Sequence, residues 1–88
     1  MEITFSEFQK LDIRIGKIIE AEHVIGSKNL MKILVDFGNI KKQSVSGLLK
    51  WYRPKELLNK ICVFLTNLES RKVMGIKSEC MILAAEDS

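Results

Sequence analysis

Residues 11–22 read LDIRIGKIIEAE and set the first element of the fold. Apolar side chains alternate with polar or small ones on both sides of Gly16-Lys17, and a period of two predicts a strand with one buried face. The apolar positions are Leu11, Ile13, Ile15, Ile19 and Ala21. Because a glycine inside a long strand marks a bulge or a sharp bend, this stretch predicts one long, bent strand.

Four further strands are predicted along the chain. Residues 31–37 repeat apolar side chains at spacing two and end at the turn residues Gly38-Asn39. Residues 41–48 form a weaker third strand. Residues 61–68 are rich in apolar and β-branched side chains, which predicts a strand buried on both faces. Residues 80–85 form the fifth strand.

Two short helices complete the set of elements. Pro54 favours the first turn of a helix, so residues 55–60 are predicted to be helical between the third and fourth strands. Residues 6–10 form a second short helix before the first strand. Residues 69–78 are charged and contain Gly75, which predicts a long loop before the last strand.

This order of elements matches one small barrel. Five strands, a long bent first strand and a helix after the third strand are typical of the oligonucleotide/oligosaccharide-binding (OB) barrel. Periodicity alone allows an SH3-like barrel nearly as well. At 88 residues there is no room for a second core, so residues 1–88 are expected to form a single, mainly all-β domain.

Composition and charge narrow the classes of partner. The chain has 14 Lys and Arg against 11 Asp and Glu, a net charge of +3, and six of these cations lie in residues 41–60. A modest basic excess is compatible with a phosphate-bearing partner. No apolar run is long enough for a membrane span, and the acidic start lacks the apolar core of a signal peptide. The chain is therefore expected in the cytoplasm, without a membrane partner.

The sequence contains no recognisable catalytic or metal-binding pattern. The five glycines form neither a dinucleotide-binding motif nor a phosphate-binding loop. Cys62, Cys80 and His23 are too few and too scattered for a structural zinc site, and both cysteines lie in apolar runs typical of buried thiols. We therefore expect no enzyme activity, no metal and no cofactor.

Two segments favour nucleic-acid binding. Lys50-Trp51-Tyr52-Arg53 places two aromatic rings between two cations, a mixture that stacks bases and neutralises phosphates. Because adjacent side chains point in different directions, one of the two rings is expected in the core. Arg71-Lys72 and Lys77 lie on the loop before the last strand, which lines the ligand face of an OB barrel.

Residues 67–81 carry a resemblance to a known family. They read NLESRKVMGIKSECM and resemble the NL-x-x-RK-x-x-G-x-x-S-x-x-M stretch of the EMAP II-like tRNA-binding domains. Those domains occur at the C-terminus of methionyl-tRNA synthetases, as free-standing proteins and in synthetase-associated cofactors. Residues 11–18, the middle section and residues 82–87 resemble the family as well, so the similarity covers nearly the whole chain.

The resemblance implies an OB barrel that grips the outer corner of folded tRNA by shape and charge, without reading the anticodon. Carried over by motif position, it points to Asn67, Arg71, Lys72, Ser78 and Met81 as tRNA-binding residues. Lys28 matches a lysine of the first connecting loop, while Arg53 and Lys77 are nearby cations. Met81 is equally well read as a core residue.

The chain also departs from the family pattern. The usual His-Pro-Asn-Ala-Asp-Lys after the first strand is replaced by residues 23–28, HVIGSK, and Cys80 stands where glycine is common. Many members continue for roughly twenty residues beyond this point and dimerise through those strands. A homodimer of this chain would therefore use another surface, unless the chain is a short version.

The resemblance favours a tRNA-binding module that assists an aminoacyl-tRNA synthetase in trans, methionyl-tRNA synthetase first. The alternative is a CsaA-like export chaperone, which shares the fold and binds unfolded polypeptide as a dimer; Val35-Asp36-Phe37-Gly38 resembles that branch. A third hypothesis is docking to a synthetase with little RNA contact. Salt separates these functions, since RNA binding weakens steeply with salt and apolar peptide binding does not.

Overall fold

Five antiparallel strands curl into an OB-like barrel, and a two-stranded hairpin is attached to it. The structure, a computed structural model, describes residues 1–85; Glu86 and Asp87 of the family-like ending lie outside them. The elements in chain order are α1 (Phe5–Gln9), β1 (Ile13–His23), β2 (Met31–Asp36), β3 (Lys41–Ser46), a single-turn helix (Leu48–Lys50), α2 (Pro54–Leu57), β4 (Ile61–Leu65), β5 (Arg71–Val73), β6 (Ile76–Ser78) and β7 (Met81–Ala85).

β1 is the strand around which the sheet curls. Its first half, residues 13–17, pairs with β4, and its second half, residues 17–23, pairs with β2. The register with β2 shifts between Ile18 and Glu20, two residues beyond the predicted bend. Because a bulge bends a strand and increases its twist, one long strand can serve both halves of the barrel.

The edge strand β3 meets the two residues that precede the other edge strand, β7, along a short seam. The Glu79 amide donates to the Gln43 carbonyl at 2.8 Å, and Ser44 Oγ donates to the Cys80 carbonyl at 2.8 Å. With the strand order β3-β2-β1-β4-β7, this seam produces the five-stranded OB-like barrel that the sequence predicts.

The core is built from alternate positions of the sheet. Met31, Ile33 and Val35 of β2 are fully buried, as their spacing predicts, and Phe64 of β4 lies among them. α2 covers one end of this core, to which it contributes the fully buried side chain of Leu57. Both cysteines are buried, in agreement with the prediction.

Two predictions about buried faces are wrong. Ile13 and Ile15 were expected inside, but they are exposed, and the inward positions of β1 are Gly16 and Ile18. A Cβ at Gly16 would lie 2.5 Å from Val35 Cγ1, so side chains of β2 already fill the space inside β1. β4 was expected to be buried on both faces, yet Ile61 is 56% exposed.

The long loop predicted at residues 69–78 is largely a β-hairpin. Arg71 pairs with Ser78, Lys72 with Lys77 and Val73 with Ile76. The two turn residues, Met74 and Gly75, both have positive φ, 51° and 79°, which is the type I′ geometry of a two-residue hairpin.

The predicted N-terminal helix is present and begins at Phe5. Thr4 caps it: Thr4 Oγ1 accepts from the Glu7 amide at 3.1 Å, and Glu7 Oε1 accepts from the Thr4 amide at 3.3 Å. This reciprocal pair is a capping box. None of the described helices has the length and apolar character needed to cross a membrane.

Candidate nucleic-acid interface

The β5–β6 hairpin is held against β3 by hydrogen bonds along its second strand and at the residue that follows it. Gln43 Nε2 donates to the Lys77 carbonyl at 2.7 Å, and the Val45 amide donates to Ser78 Oγ at 3.1 Å. The Glu79 amide follows with its bond to the Gln43 carbonyl. β3 thus fixes the orientation of the hairpin, although the hairpin does not belong to the five-stranded sheet.

The hairpin presents a cluster of positive charge. Arg71, Lys72 and Lys77 are all exposed, and Lys72 lies directly opposite Lys77 in the register. Like charges facing each other across a strand pair destabilise it. Among the described residues, the salt bridges join Arg14 to Asp12 and Lys32 to Glu22, and none reaches the three hairpin cations. This charge is therefore available to an external anion.

The loop between β1 and β2, residues 24–30, lies beside the tip of the hairpin. A Cβ at Gly26 would be 3.6 Å from Met74 Cε, and Ile25, Met74 and Ile76 line a shared cavity of about 290 Å³. His23 Nε2 lies 2.8 Å from the Ser27 carbonyl and braces the base of this loop. Lys28 is exposed on it. The structure thus brings together the two loops that bind oligonucleotides in OB folds.

The linker from β3 to α2 borders the same region. The Leu49 amide donates to the Asn29 carbonyl, next to Lys28, at 3.2 Å. Of the two aromatic rings predicted here, Tyr52 packs against the core and Trp51 is 77% exposed, which confirms that one ring is structural. Arg53 is exposed where α2 begins, and its amide donates to Glu56 Oε1 at 2.8 Å.

Asn67 has a different position from the other predicted residues. Its Oδ1 accepts from the Asp12 amide at 2.9 Å, and its Nδ2 donates to the Lys10 carbonyl at 2.5 Å. Both polar ends of the amide are therefore used to hold the segment before β1 against the end of β4. This geometry makes Asn67 a residue that braces the fold next to the hairpin.

Ser78 and Met81 line a cleft of about 250 Å³ beneath the hairpin. Ser78 Oγ is held by the Val45 amide, and the Met81 side chain is 48% exposed. Sequence reasoning missed the opposite wall, residues 44–46 of β3, because a segment more than thirty residues away carries no motif that links it to the hairpin. The residues around the cleft are Ser44, Val45, Ser46, Leu68, Glu69, Arg71, Ser78, Cys80 and Met81.

The titratable groups near the cleft do not favour catalysis. Burial raises the pKa of the Cys80 thiol to about 11, so the thiol stays protonated and unreactive at neutral pH. In the described part of the chain, no group of His, Cys, Asp and Glu side chains is arranged to hold a metal ion. What the surface offers is exposed cations and hydroxyl groups, which suit a polyanion.

Comparisons with known proteins agree with this geometry. Residues 13–88 match the family described as "Putative tRNA binding domain". The methionine–tRNA ligase of Archaeoglobus fulgidus is 51% identical over 97% of the chain, and that of Thermotoga maritima is 45% identical over 96%. In both cases the chain spans only 13% of the relative's length.

Solved structures share the fold over most of their length. A MetRS-related protein from Pyrococcus horikoshii superposes with a TM-score of 0.90 at 35% identity, covering 99% of this chain and 81% of that one. The chaperone CsaA of Bacillus anthracis superposes with a TM-score of 0.86 at 32% identity, covering 94% and 76%. The family match covers more than half of the chain and names a binding module rather than a catalytic domain. The chain belongs to the family of tRNA-binding domains.

Proposed function

We propose that this domain binds folded tRNA at its outer corner and recognises shape and charge rather than sequence. The observation that carries the proposal is the hairpin, where Lys72 and Lys77 face each other beside Arg71 without a described carboxylate partner. Bound phosphates would remove the repulsion between such cations, and the cations would in turn release counterions from the RNA. Lys28 and Arg53 extend the contact along the adjoining loop and linker.

The remaining predicted residues take two roles in this proposal. Ser78 and Met81 contact the RNA from the cleft, where a hydroxyl suits a phosphate oxygen or a 2′-hydroxyl. Asn67 acts through the fold, because both ends of its amide are bonded to the segment before β1. Its contribution to binding is to position the start of the hairpin.

Methionyl-tRNA synthetase is the proposed partner, because the ligases of Archaeoglobus fulgidus and Thermotoga maritima contain a matching segment. Held to that enzyme, in trans or within one chain, the domain would raise the effective concentration of tRNA at the catalytic site. The domain itself would contribute no catalysis and need no cofactor. Its place of action would be the cytoplasm, where aminoacylation of tRNA supplies translation.

A filter-binding titration against bulk tRNA tests this function. Roughly 4–6 phosphate contacts predict a slope of log affinity against log salt of about −3 to −5. Affinity should then fall by about two to three orders of magnitude between about 50 and 200 mM salt. The Arg71→Ala/Lys72→Ala double variant should bind more weakly and show a slope shallower by about 1.4 to 1.8.

The matched control is Lys17→Ala/Lys41→Ala, which removes the same charge. Lys17 and Lys41 both lie opposite Asp36, at the end of β2 away from the β1–β2 loop, whereas the hairpin approaches that loop near His23. This control should keep the steep slope of the parent. Equal losses in the two double variants would contradict a localised interface, and no tRNA binding at low salt by the folded protein would contradict the function.

The likeness to CsaA structures favours one alternative function, a chaperone for unfolded polypeptide. The structure exposes apolar side chains that could serve it, among them Ile15 and Ile61. Binding of a permanently unfolded polypeptide that holds or strengthens as salt rises would support this alternative. If the domain instead docks to a synthetase with little RNA contact, it should bind the synthetase with an affinity that added tRNA does not change.

The outer face of β1, β4 and β7 supports the proposal of a homodimer. Ile13 pairs with Leu65 and Ile15 with Val63, so these side chains project from the same side of the sheet. Ile13 and Ile15 are exposed, and Leu83 of β7 is exposed as well. A contiguous apolar face on a small domain marks an interaction surface. A second copy of the chain would cover it without using the cationic hairpin.

A further inference from the structure

The cleft beneath the hairpin forms where the barrel seam opens. β3 and the end of the hairpin are bonded at Gln43, Ser44 and Val45. After these contacts the chain enters β7, which pairs with β4 instead of β3, with Met81 opposite Leu65. The strands therefore separate at Ser46, and this separation leaves the cleft of about 250 Å³.

One wall of this cleft has an unused hydrogen-bonding group. Ser46 Oγ is buried and has no hydrogen-bond partner, the only such side-chain atom found in residues 1–85. Across the cleft, Ser78 Oγ accepts from the Val45 amide and keeps its own hydrogen to donate. Buried polar groups are nearly always bonded, so the unpartnered Ser46 hydroxyl beside the cleft marks a position at which a ligand or a water molecule can bond.

Size and lining limit what this ligand can be. A cleft of about 250 Å³ is smaller than the roughly 300–1,000 Å³ of sites that enclose a drug-sized molecule. Val45, Leu68 and Met81 supply apolar surface, which suits the flat face of one ring system. The cleft thus accommodates one base and excludes a base pair.

Charged groups at the rim favour a nucleotide over a peptide side chain. Arg71 and Glu69 both border the cleft. A guanidinium binds phosphate in a bidentate manner, and a carboxylate accepts hydrogen bonds from the amino or imino groups of a base. An apolar peptide side chain would leave Arg71, Glu69 and the Ser46 hydroxyl unused.

We infer that this cleft holds one unpaired nucleotide of the bound RNA, with its base between β3 and Met81 and its phosphate on Arg71. Proteins recognise RNA outside its helices through such splayed-out bases. The inference rests on the proposed tRNA binding and adds one contact that duplex RNA cannot make. It also gives the residues of β3 a role in binding.

Chemical-shift mapping tests the inference on the folded domain. Nitrogen-15-labelled protein is titrated separately with millimolar AMP, GMP, CMP and UMP, and with ribose 5-phosphate as the probe that lacks a base. We expect at least one nucleotide to shift the amides of residues 44–46, 68–71 and 78–81 together. Ribose 5-phosphate should leave residues 44–46 unchanged.

The matched variants are Ser46→Ala, which removes the unpartnered hydroxyl, and Ser70→Ala, which removes an exposed hydroxyl of the neighbouring loop. Loss of one hydrogen bond predicts nucleotide affinity about three- to tenfold lower for Ser46→Ala and unchanged for Ser70→Ala. Since the Ser46 hydroxyl has no protein partner, its removal should leave the fold intact.

Three outcomes would overturn the inference. If ribose 5-phosphate shifted the amides of the cleft as much as a nucleotide does, the cleft would bind only phosphate. If the shifts were confined to Lys72 and Lys77, the nucleotide would lie outside the cleft. Shifts from N-acetyl-leucine amide but not from nucleotides would assign the cleft to peptide. Filter binding of the same samples to tRNA separates these outcomes from failure of the proposed function.

Discussion

Gly16 shows how one residue controls the shape of the barrel. It is an inward-facing residue of β1, and a Cβ there would lie 2.5 Å from Val35 Cγ1 and 2.7 Å from Phe37 Cε1. Phe37 in turn packs edge-on against Phe64, with ring centroids 5.6 Å apart. The missing side chain of Gly16 therefore gives space to the central aromatic pair.

Gly16→Ala should lower the free energy of unfolding by about 1–3 kcal/mol, the usual cost of overpacking a core. Gly47→Ala is the matched control, because a Cβ at Gly47 meets nothing within 4 Å and its φ is −75°. The control should change stability by no more than about 0.5 kcal/mol. Urea denaturation measures both, and equal stability of the two variants would contradict the close packing at Gly16.

Cys80 makes the stability of the fold depend on pH in the alkaline range. Burial is the main cause that raises its pKa from an ordinary value of 9.0 to about 11. In the unfolded chain the thiol loses its proton near pH 9, whereas the folded protein keeps it up to about pH 11. The contribution of Cys80 to stability is thus fully present below pH 9 and is lost as pH rises to about 11.

The free energy of unfolding of the parent should therefore fall more steeply from pH 9 to about 11 than that of Cys80→Ala. Urea denaturation in reducing buffer measures the two slopes. Subtracting one from the other removes the contribution of lysines, which titrate in the same range. Parallel slopes would show that the Cys80 thiol is not shielded from water.

At the scale of elements, the sequence predicts best where one face is clearly apolar. β2 is an example: Met31, Ile33 and Val35 repeat at spacing two and are all buried, and Leu34 alone breaks the alternation with polar residues. β1 carries isoleucines on both faces of the strand, at odd and at even positions. The alternating pattern therefore assigned Ile13 and Ile15 to the wrong face. Only the contact of Gly16 with β2 decides which face is inside.

Neither the hairpin nor the cleft could be predicted from the sequence, and the reasons differ. β5 and β6 have three residues each, too few for a periodic pattern, and Met74 is an unusual residue for a type I′ turn. The resemblance to the family pointed to Arg71, Lys72 and Ser78, which lie on one segment. It included Ser46 in the matching middle section but did not link it to that segment, to which the folding of the sheet brings it.

Met74→Asn should stabilise the hairpin, because Met74 adopts a φ of 51° and asparagine tolerates the left-handed region far better. The gain should be about 1 kcal/mol in the free energy of local opening, the lower end of the cost of a non-glycine residue in that region. Amide hydrogen exchange of Val73 and Ile76 measures it. Faster exchange in the variant would mean that contacts of the Met74 side chain, and not the turn, hold the hairpin.

The whole molecule separates an apolar face from a cationic one. Ile15, 67% exposed on β1, lies on the proposed dimer face, whereas the tip of the hairpin that carries the cations lies next to the loop that follows β1. A dimer through the apolar face would leave two hairpins free, one on each copy. Such an arrangement would let one assembly contact RNA at two places.

Ile15→Lys should prevent this dimer, because it would bring like charges together in an apolar interface. Light scattering during size-exclusion chromatography should then give a dimeric mass for the parent and a monomeric mass for the variant, while each variant monomer still binds tRNA. Asn39→Lys, at an exposed position of the turn between β2 and β3, adds the same charge outside this face and is the control for the effect of a surface charge. A parent that is monomeric at high concentration would contradict the homodimer.

The central claim is that one face, made of the β1–β2 loop and the β5–β6 hairpin, binds tRNA. Hydrogen exchange followed by mass spectrometry, with and without bulk tRNA at low salt, tests it most directly. We predict slower exchange in peptides that cover residues 24–30 and 67–81, with no change in those that cover residues 11–17 and 61–65. Protection confined to residues 11–17 and 61–65 would place the RNA on the apolar face and contradict the account.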